Sequence, residues 1–303
     1  MENSECLSSK KEDNLNNIKV NSRKLAKINK LRNQYRFKNM LFIIGVVLVT
    51  LIVIICVGAP LISPNDPLKV DLGKAFLNST NKYPLGTDQM GRCILSRILY
   101  GGRTSIFIAL LSLSLTVTIG TFIGILSAVS PKIVDSFFMG ICEITLAFPG
   151  ILLAIVIVGF LGPSIINVMV AISFVSWAKY ARVSRNLVLS IRESGFIKAA
   201  KVCGTSHLNI IRYHIIPNIF STILTIMVTD IGSTILRLAT LSFIGLGAQH
   251  PTPEWGVMIN EAREYIDYAP NMIVYPIIMI FLTVASFNLI GDSLRDRYDG
   301  DTY

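Results

Sequence analysis

Charge is scarce in this chain. Only 16% of its 303 residues are Asp, Glu, Lys or Arg, against 52% hydrophobic, and the mean hydropathy is +0.58. A soluble domain of this length would need more charge to cover its surface, so a lipid-facing exterior is what such a composition fits. Cysteine is also sparse. Cys6, Cys56, Cys93, Cys142 and Cys203 stand singly, with no pair at metal-ligand spacing, which argues against a disulfide framework. The three histidines, His207, His214 and His250, all fall outside the long apolar runs. No stretch fits the phosphate-cradling pattern G-x-x-x-x-G-K-[ST], so any nucleotide that powers this protein is bound by another chain.

What the sequence does have is long uncharged runs. Met40 to Ile62 carries no charge, and about 20 apolar residues at 1.5 Å each cross a bilayer. Thr104–Val129, Ile133–Leu161, Pro163–Ala178, Pro217–Leu246 and Asn271–Ile290 follow; the Pro163–Ala178 run is short. The fold expected is an all-α polytopic bundle of six membrane helices, with five as the alternative count. The charged stretch before the first run is far longer than the n-region of a signal peptide, and no small-residue cleavage site follows, so the first run reads as an uncleaved anchor. Residues 1–39, rich in Lys, Asn and Ser without apolar periodicity, are expected to form a disordered or loosely helical cytoplasmic tail, and residues 40–303 the membrane domain.

Positive charge near span ends orients a membrane protein. Ten Lys and Arg residues lie between Lys10 and Lys38, and six spans put Arg182, Arg185, Arg192, Lys198, Lys201 and Arg212 on the same side. The opposite loop His250–Pro270 is acidic, with Glu254, Glu261, Glu264 and Asp267 against Arg263. These agree on a cytoplasmic N-terminus. The first outer loop dissents, because Lys69, Lys74, Lys82, Arg92, Arg97 and Arg103 lie there, and local pairing is one way to accommodate them. A net charge of +9 then means attraction to anionic lipid rather than to nucleic acid.

Glu143, Asp230 and Arg237 fall inside expected spans, where an ionisable group costs several kcal/mol unless it is paired or faces water. Asp230 and Arg237, seven residues apart, share a helix face at about 10 Å, too far for a direct bond. Their partners belong on other helices or another chain. Either they fix packing or they line a route. Pro149-Gly150 kinks the third span, as a static bend or as a hinge. Trp177 and Tyr180, near the inner end of the fourth span, read as interfacial anchors.

Between the fourth and fifth spans, residues 194–216 form two short helical stretches hinged at Gly204, where the absence of Cβ permits a tight turn. Pro217 starts the fifth span, where its missing N–H costs nothing. Ala199 and Ala200 offer a smooth face for close packing. Ala199-Ala200, Gly204 and Ile215-Ile216-Pro217 resemble the coupling loop of bacterial binding-protein-dependent importer permeases. The resemblance implies a short helix that docks on an ATPase subunit, although Lys198 stands where the family usually has Glu.

Three further stretches resemble the second permease of the peptide and nickel importers. The first runs from Pro84 through Gly86, Thr87, Asp88, Gly91 and Arg92 to Arg103, with Cys93 in place of the usual Asp. The others are Leu241–Gly247 with Pro251–Gly256, and Phe287–Asp292 with Leu294–Asp296. The resemblance implies a heterodimer with a homologous permease, two ATPase subunits that hold ATP and magnesium, and an extracytoplasmic solute-binding protein. It implies no catalytic or metal-binding residue and no cofactor in this chain. The coupling residues would be Lys198, Ala199, Ala200, Gly204 and Pro217, and the route candidates Glu143, Asp230, Arg237 and Leu238. Glu254–Arg263, Asp230–Gly232 and Arg237 look closer to nickel-type than to peptide-type permeases, which tend to carry Glu where this chain has Leu238. The cargo expected is nickel or a related chelated metal, with di- or oligopeptides as the alternative. A bare soft metal would want closely spaced N or S ligands, which the spans do not offer. A stand-alone transporter or channel would need internal repeats or pore rings, and no convincing repeat is found.

Overall fold

The computed structural model describes residues 39–300, with side chains through Arg295. The expected tail at residues 1–39 lies outside the described residues except for Asn39, as do Cys6 and the side chain of Asp296. Among the described residues no strand occurs beyond one antiparallel bridge between Thr87 and Cys93.

Helix α1, Asn39–Val57, leads through the short α2, Ala59–Ile62, into a long connection holding one 3-10 turn, Leu72–Lys74. Then come α3, Ile94–Val129; α4, Lys132–Ala147; α5, Gly150–Leu161; and α6, Ile165–Arg192. Two short helices, α7, Gly195–Val202, and α8, His207–Ile210, precede a π-turn at Ile211–Ile215 that runs into α9, Ile216–Phe243. Helix α10, Trp255–Ala262, and α11, Asn271–Gly300, complete the order.

Among the described residues four helices are long and apolar enough to cross a membrane: Asn39–Val57, Ile94–Val129, His207–Phe243 and Asn271–Arg295. The bent pair α4 and α5 makes five if it is one span. The remaining expected span, Pro163–Ala178, is α6, which is longer than its apolar run. It continues through Lys179, Arg182, Arg185 and Arg192, so those residues are helical rather than part of a cytoplasmic loop, and its mixed composition keeps it off the apolar count. The Pro149-Gly150 kink is a full break. Pro149 has ψ 116°, and the axes of α4 and α5 meet at 94°.

Close packing of α3 on α6 organises the bundle. A Cβ built on Gly120 would fall 2.5 Å from the carbonyl oxygen of Trp177, and one on Gly124 would fall 2.4 Å from that of Ala181. Small residues four apart let two backbones approach in this way. Leu113, Val158, Val168, Ile172, Ile235, Leu238 and Leu241 then fill a core among α3, α5, α6 and α9. Tyr180 belongs to this core and Trp177 is buried in a smaller cluster with Cys142, Ala178 and Ala181, which corrects their assignment as interfacial anchors.

Helix α9 is continuous with α8 through the π-turn. Pro217 therefore does not open a new helix. It has no N–H for the carbonyl four residues earlier, and its ring crowds that carbonyl, so the helix widens by one residue just before it. The amide of Asn218 donates to the His214 carbonyl at 2.6 Å and satisfies one group of the widened turn.

Candidate functional site

Asp230, half-way along α9, takes two bonds from Lys179 Nζ, at 2.8 and 2.6 Å, and one from the Tyr180 hydroxyl at 2.8 Å. One turn before Lys179 on α6, Ser176 Oγ accepts from Arg237 at 3.0 Å. Asp230 and Arg237 thus find their partners on another helix, as their spacing requires. They border a cavity of about 310 Å³ that is also walled by Thr116 of α3 and by Phe148 and Gly150 at the α4–α5 break. Lys179, Tyr180 and Ser176 were missed by sequence reasoning because they sit at or beyond the end of an apolar run. Their signal is the helical period of α6 carried past that end.

The other two route candidates lie elsewhere. Leu238 is 1% exposed in the core, because neighbouring residues on a helix point about 100° apart and Arg237 takes the open face. It does not line the cavity that Asp230 and Arg237 border. Glu143 borders a separate groove with Arg182 and the Asp135–Arg185 ion pair. It has no hydrogen-bond or ion-pair partner among the described residues.

The segment 194–216 is built on one anchor. Ile197, 0% exposed, packs with Ala128, Val188, Ile210, Ile215 and Ile219, while Phe196, Val202 and Leu208 face outward. Gly204, at φ +79°, makes the reversal after α7. Ala199 is exposed and Ala200 partly so, and Lys198 pairs with Glu193 at 3.2 Å within the chain.

The 84–103 signature has a structural explanation. Asp88 accepts from the backbone N–H of Met90 and Arg92, each at 2.9 Å, from Arg92 Nε at 2.7 Å and from an Arg97 nitrogen at 2.6 Å. Glu261 of α10 closes the network, accepting from Arg92 at 2.6 Å and from Arg97 at 2.8 and 3.1 Å. His250 Nδ1 lies 3.0 Å from Glu261 Oε1, which also accepts the 3.1 Å bond from Arg97. The side chains of Asp88, Arg92, Arg97 and Glu261 are 2–4% exposed, so two of the dissenting arginines are neutralised in place. Thr87 Oγ1 accepts from the Leu77 N–H at 2.8 Å. Gly86 and Gly91 hold φ +80° and +72°, and a Cβ on Gly91 would strike the Asp71 carbonyl. Burial acts to raise the Glu261 pKa, but the bonds and charges of Arg97 and Arg92, with His250, outweigh it and hold the carboxyl below the usual range. Glu254 is the converse. Fully buried at the N-cap of α10, it accepts from Ser105 at 2.8 Å and from the Val257 N–H at 3.0 Å, and burial pushes its pKa up. Neither role could be read from a loop that looked merely acidic.

Comparison with known proteins places these features in context. A family model described as binding-protein-dependent transport system inner membrane component matches residues 120–302. One described as the N-terminal TM domain of oligopeptide transport permease C matches residues 36–82. A dipeptide transport system permease protein of Alkalihalophilus pseudofirmus is 38% identical over 262 residues, covering 86% of each chain. A nickel transport system permease protein of Escherichia coli is 36% identical over 256 residues, 84% of this chain and 92% of that one. A glutathione transport system permease protein of Pectobacterium atrosepticum is 42% identical over 215 residues, 71% of each. Among solved structures, a chain of the methionine ABC transporter in inward facing conformations matches with TM-score 0.54 and 17% identity, over 67% of this chain and 97% of that one. That likeness concerns the fold alone.

Proposed function

The chain belongs to the family of binding-protein-dependent transport system inner membrane components, and from that premise we propose that it forms half of the translocation path of an ATP-driven importer. It would pair with a homologous permease, dock two ATPase subunits that bind ATP and magnesium, and receive solute from an extracytoplasmic binding protein. The N-terminus would be cytoplasmic, putting residues 194–216 on the ATPase side and the 63–93 loop opposite. No catalytic step falls to this chain.

The observation that carries this reading is the build of the coupling segment. Ile197 keys α7 to the helical core while its exposed neighbours Phe196 and Val202 offer apolar contact to another protein. His207 to Phe243 is one helix. A push at α7 would pass along it to Asp230 and Arg237, about 35 to 45 Å further on at 1.5 Å per residue. The break at Phe148–Pro149 supplies a second joint in the wall of the same cavity.

For the cargo, the resemblance of Glu254–Arg263 and Asp230–Gly232 to nickel-type permeases supports nickel or a related chelated metal. Di- or oligopeptides are the alternative, in keeping with the dipeptide and glutathione names among the relatives. Leu238 no longer bears on the choice, since it is buried. If the cargo is a metal, it would cross as a chelate or hydrated with carboxylate-only contacts, since a bare soft metal would want closely spaced N or S ligands. The test is uptake into proteoliposomes holding the two permeases, the ATPases and the binding protein. Uptake that requires ATP is expected. Uptake by the permeases alone would make the chain a secondary transporter.

A further inference from the structure

We propose that the cavity between α6 and α9 is a carboxylate-recognition site, with Arg237 as its contact residue, so that the solute is an organic acid or zwitterion. This rests on the importer reading and narrows its cargo to the chemistry that peptides and metal chelates share.

Three features converge on the cavity. Its charged lining residues are Lys179, Asp230 and Arg237, two cations and one anion, which leaves one positive charge over. Asp230 is already neutralised, because both of its oxygens are held by Lys179 and one also by Tyr180. The surplus is therefore Arg237. A guanidinium carries five N–H donors, and here one reaches Ser176 Oγ while the described residues supply no carboxylate. A cation inside a membrane domain needs an anion or water, and planar bidentate pairing makes a carboxylate the natural partner.

The third feature is the broken span. Helix α5 starts at Gly150, which lines the cavity with Ile151; the Leu152 and Leu153 amides bond to the Pro149 carbonyl, while those of Gly150 and Ile151 take no backbone partner among the described residues. The positive end of its dipole faces the same space. Interrupted spans that turn a helix N-terminus toward an anionic solute group are a recurring device of membrane transporters. Gly150 is closely packed, since a Cβ there would come within 3.1 Å of Val175, so backbone rather than side chain meets the solute. Pairing with Lys179 and Tyr180 keeps Asp230 from repelling it. The apolar remainder of the wall, including Leu113, Ile172 and Val175, suits a small organic body rather than a hydrated ion.

The test uses the full complex in proteoliposomes with three probes: a dipeptide free acid, the same dipeptide as its C-terminal amide, and nickel with a tricarboxylate chelator. Whichever acidic probe the wild type accumulates with ATP, Arg237→Met should raise its KM at least tenfold, and Arg237→Lys should recover part of the loss. The amide should not compete for uptake. Uptake of the dipeptide acid alone identifies a peptide carboxylate, and uptake of the nickel complex alone a chelate. Unchanged KM in an assembled Arg237→Met complex would overturn the proposal, as would equal uptake of acid and amide. Failure of both Arg237→Met and Arg237→Gln to co-purify with the companion permease would make the guanidinium a subunit contact and equally overturn it. No ATP-dependent uptake of any probe by the wild type would instead remove the importer reading beneath it.

Discussion

Glu261→Ala tests the buried network that ties the 63–93 connection to α10. Truncation leaves Arg92 and Arg97, each 2% exposed, sharing the single carboxylate Asp88. Removing one partner from a buried charge cluster costs about 3–5 kcal/mol, chiefly because a charge is left uncompensated. Cys93, buried beside the network at the start of α3, is a built-in reporter. In a chain retaining Cys93 as its sole thiol, maleimide labelling follows the opening of this region. A loss of 3–5 kcal/mol then accelerates labelling by roughly two to three and a half orders of magnitude, at about 1.4 kcal/mol per tenfold. Glu261→Met combined with Arg97→Met leaves the neutral Asp88–Arg92 pair and should label far more slowly than either single variant, a non-additivity of about 2–3 kcal/mol. The pH dependence carries a definite sign. The folded-state pKa of Glu261 is lowered, so its stabilisation is complete above the unfolded value of about 4.3 and disappears as pH falls through the folded value. Divided by the intrinsic thiol reactivity at each pH, taken from the unfolded chain, labelling should therefore accelerate in the wild type only in acid. Wild-type labelling rates in Glu261→Ala, or strict additivity in the double variant, would refute the reasoning.

Other positions give independent checks. A Cβ on Gly204 meets no atom within 4 Å, so Gly204→Val chiefly tests the backbone strain of φ +79°, on the order of 1–2 kcal/mol; the complex should assemble and hydrolyse ATP with transport uncoupled, and normal uptake would remove the turn from the mechanism. Glu254→Gln removes the buried charge and leaves one acceptor oxygen for the Ser105 and Val257 donors. Because the folded pKa of Glu254 is raised, the wild type should lose stability as pH rises through it while the variant does not, read as thermal inactivation at pH 5 and pH 9. Gly124→Leu places side-chain atoms on the α6 backbone and should abolish accumulation of folded protein, whereas Gly140→Ala, with nothing within 4 Å, should match the wild type on gel filtration. Asp230→Asn removes the counter-charge of Lys179 and should cut uptake with assembly intact; loss of the assembled complex would assign Asp230 to packing.

By itself the sequence determined whatever depends on neighbours along the chain. Uncharged run lengths gave the helical membrane architecture, and Pro149-Gly150 marked the break in the third span. Gly204 marked a turn that needs positive φ, and the seven-residue spacing of Asp230 and Arg237 ruled out their pairing with each other and sent their partners to other helices or another chain. Tertiary structure alone decided what depends on which faces meet. Glu261 neutralises Arg92 and Arg97 across 169 and 164 residues, a pairing with no local trace. Lys179 and Tyr180 read as a loop charge and an interfacial ring because an apolar run ends before a helix does. A helix can carry cations onward when another helix supplies their partners, as α9 and α4 do here. The same rotation of about 100° per residue that aims Arg237 at the cavity turns Leu238 into the core, and only the packing of α6 against α3 and α9 settles which of the two faces is open.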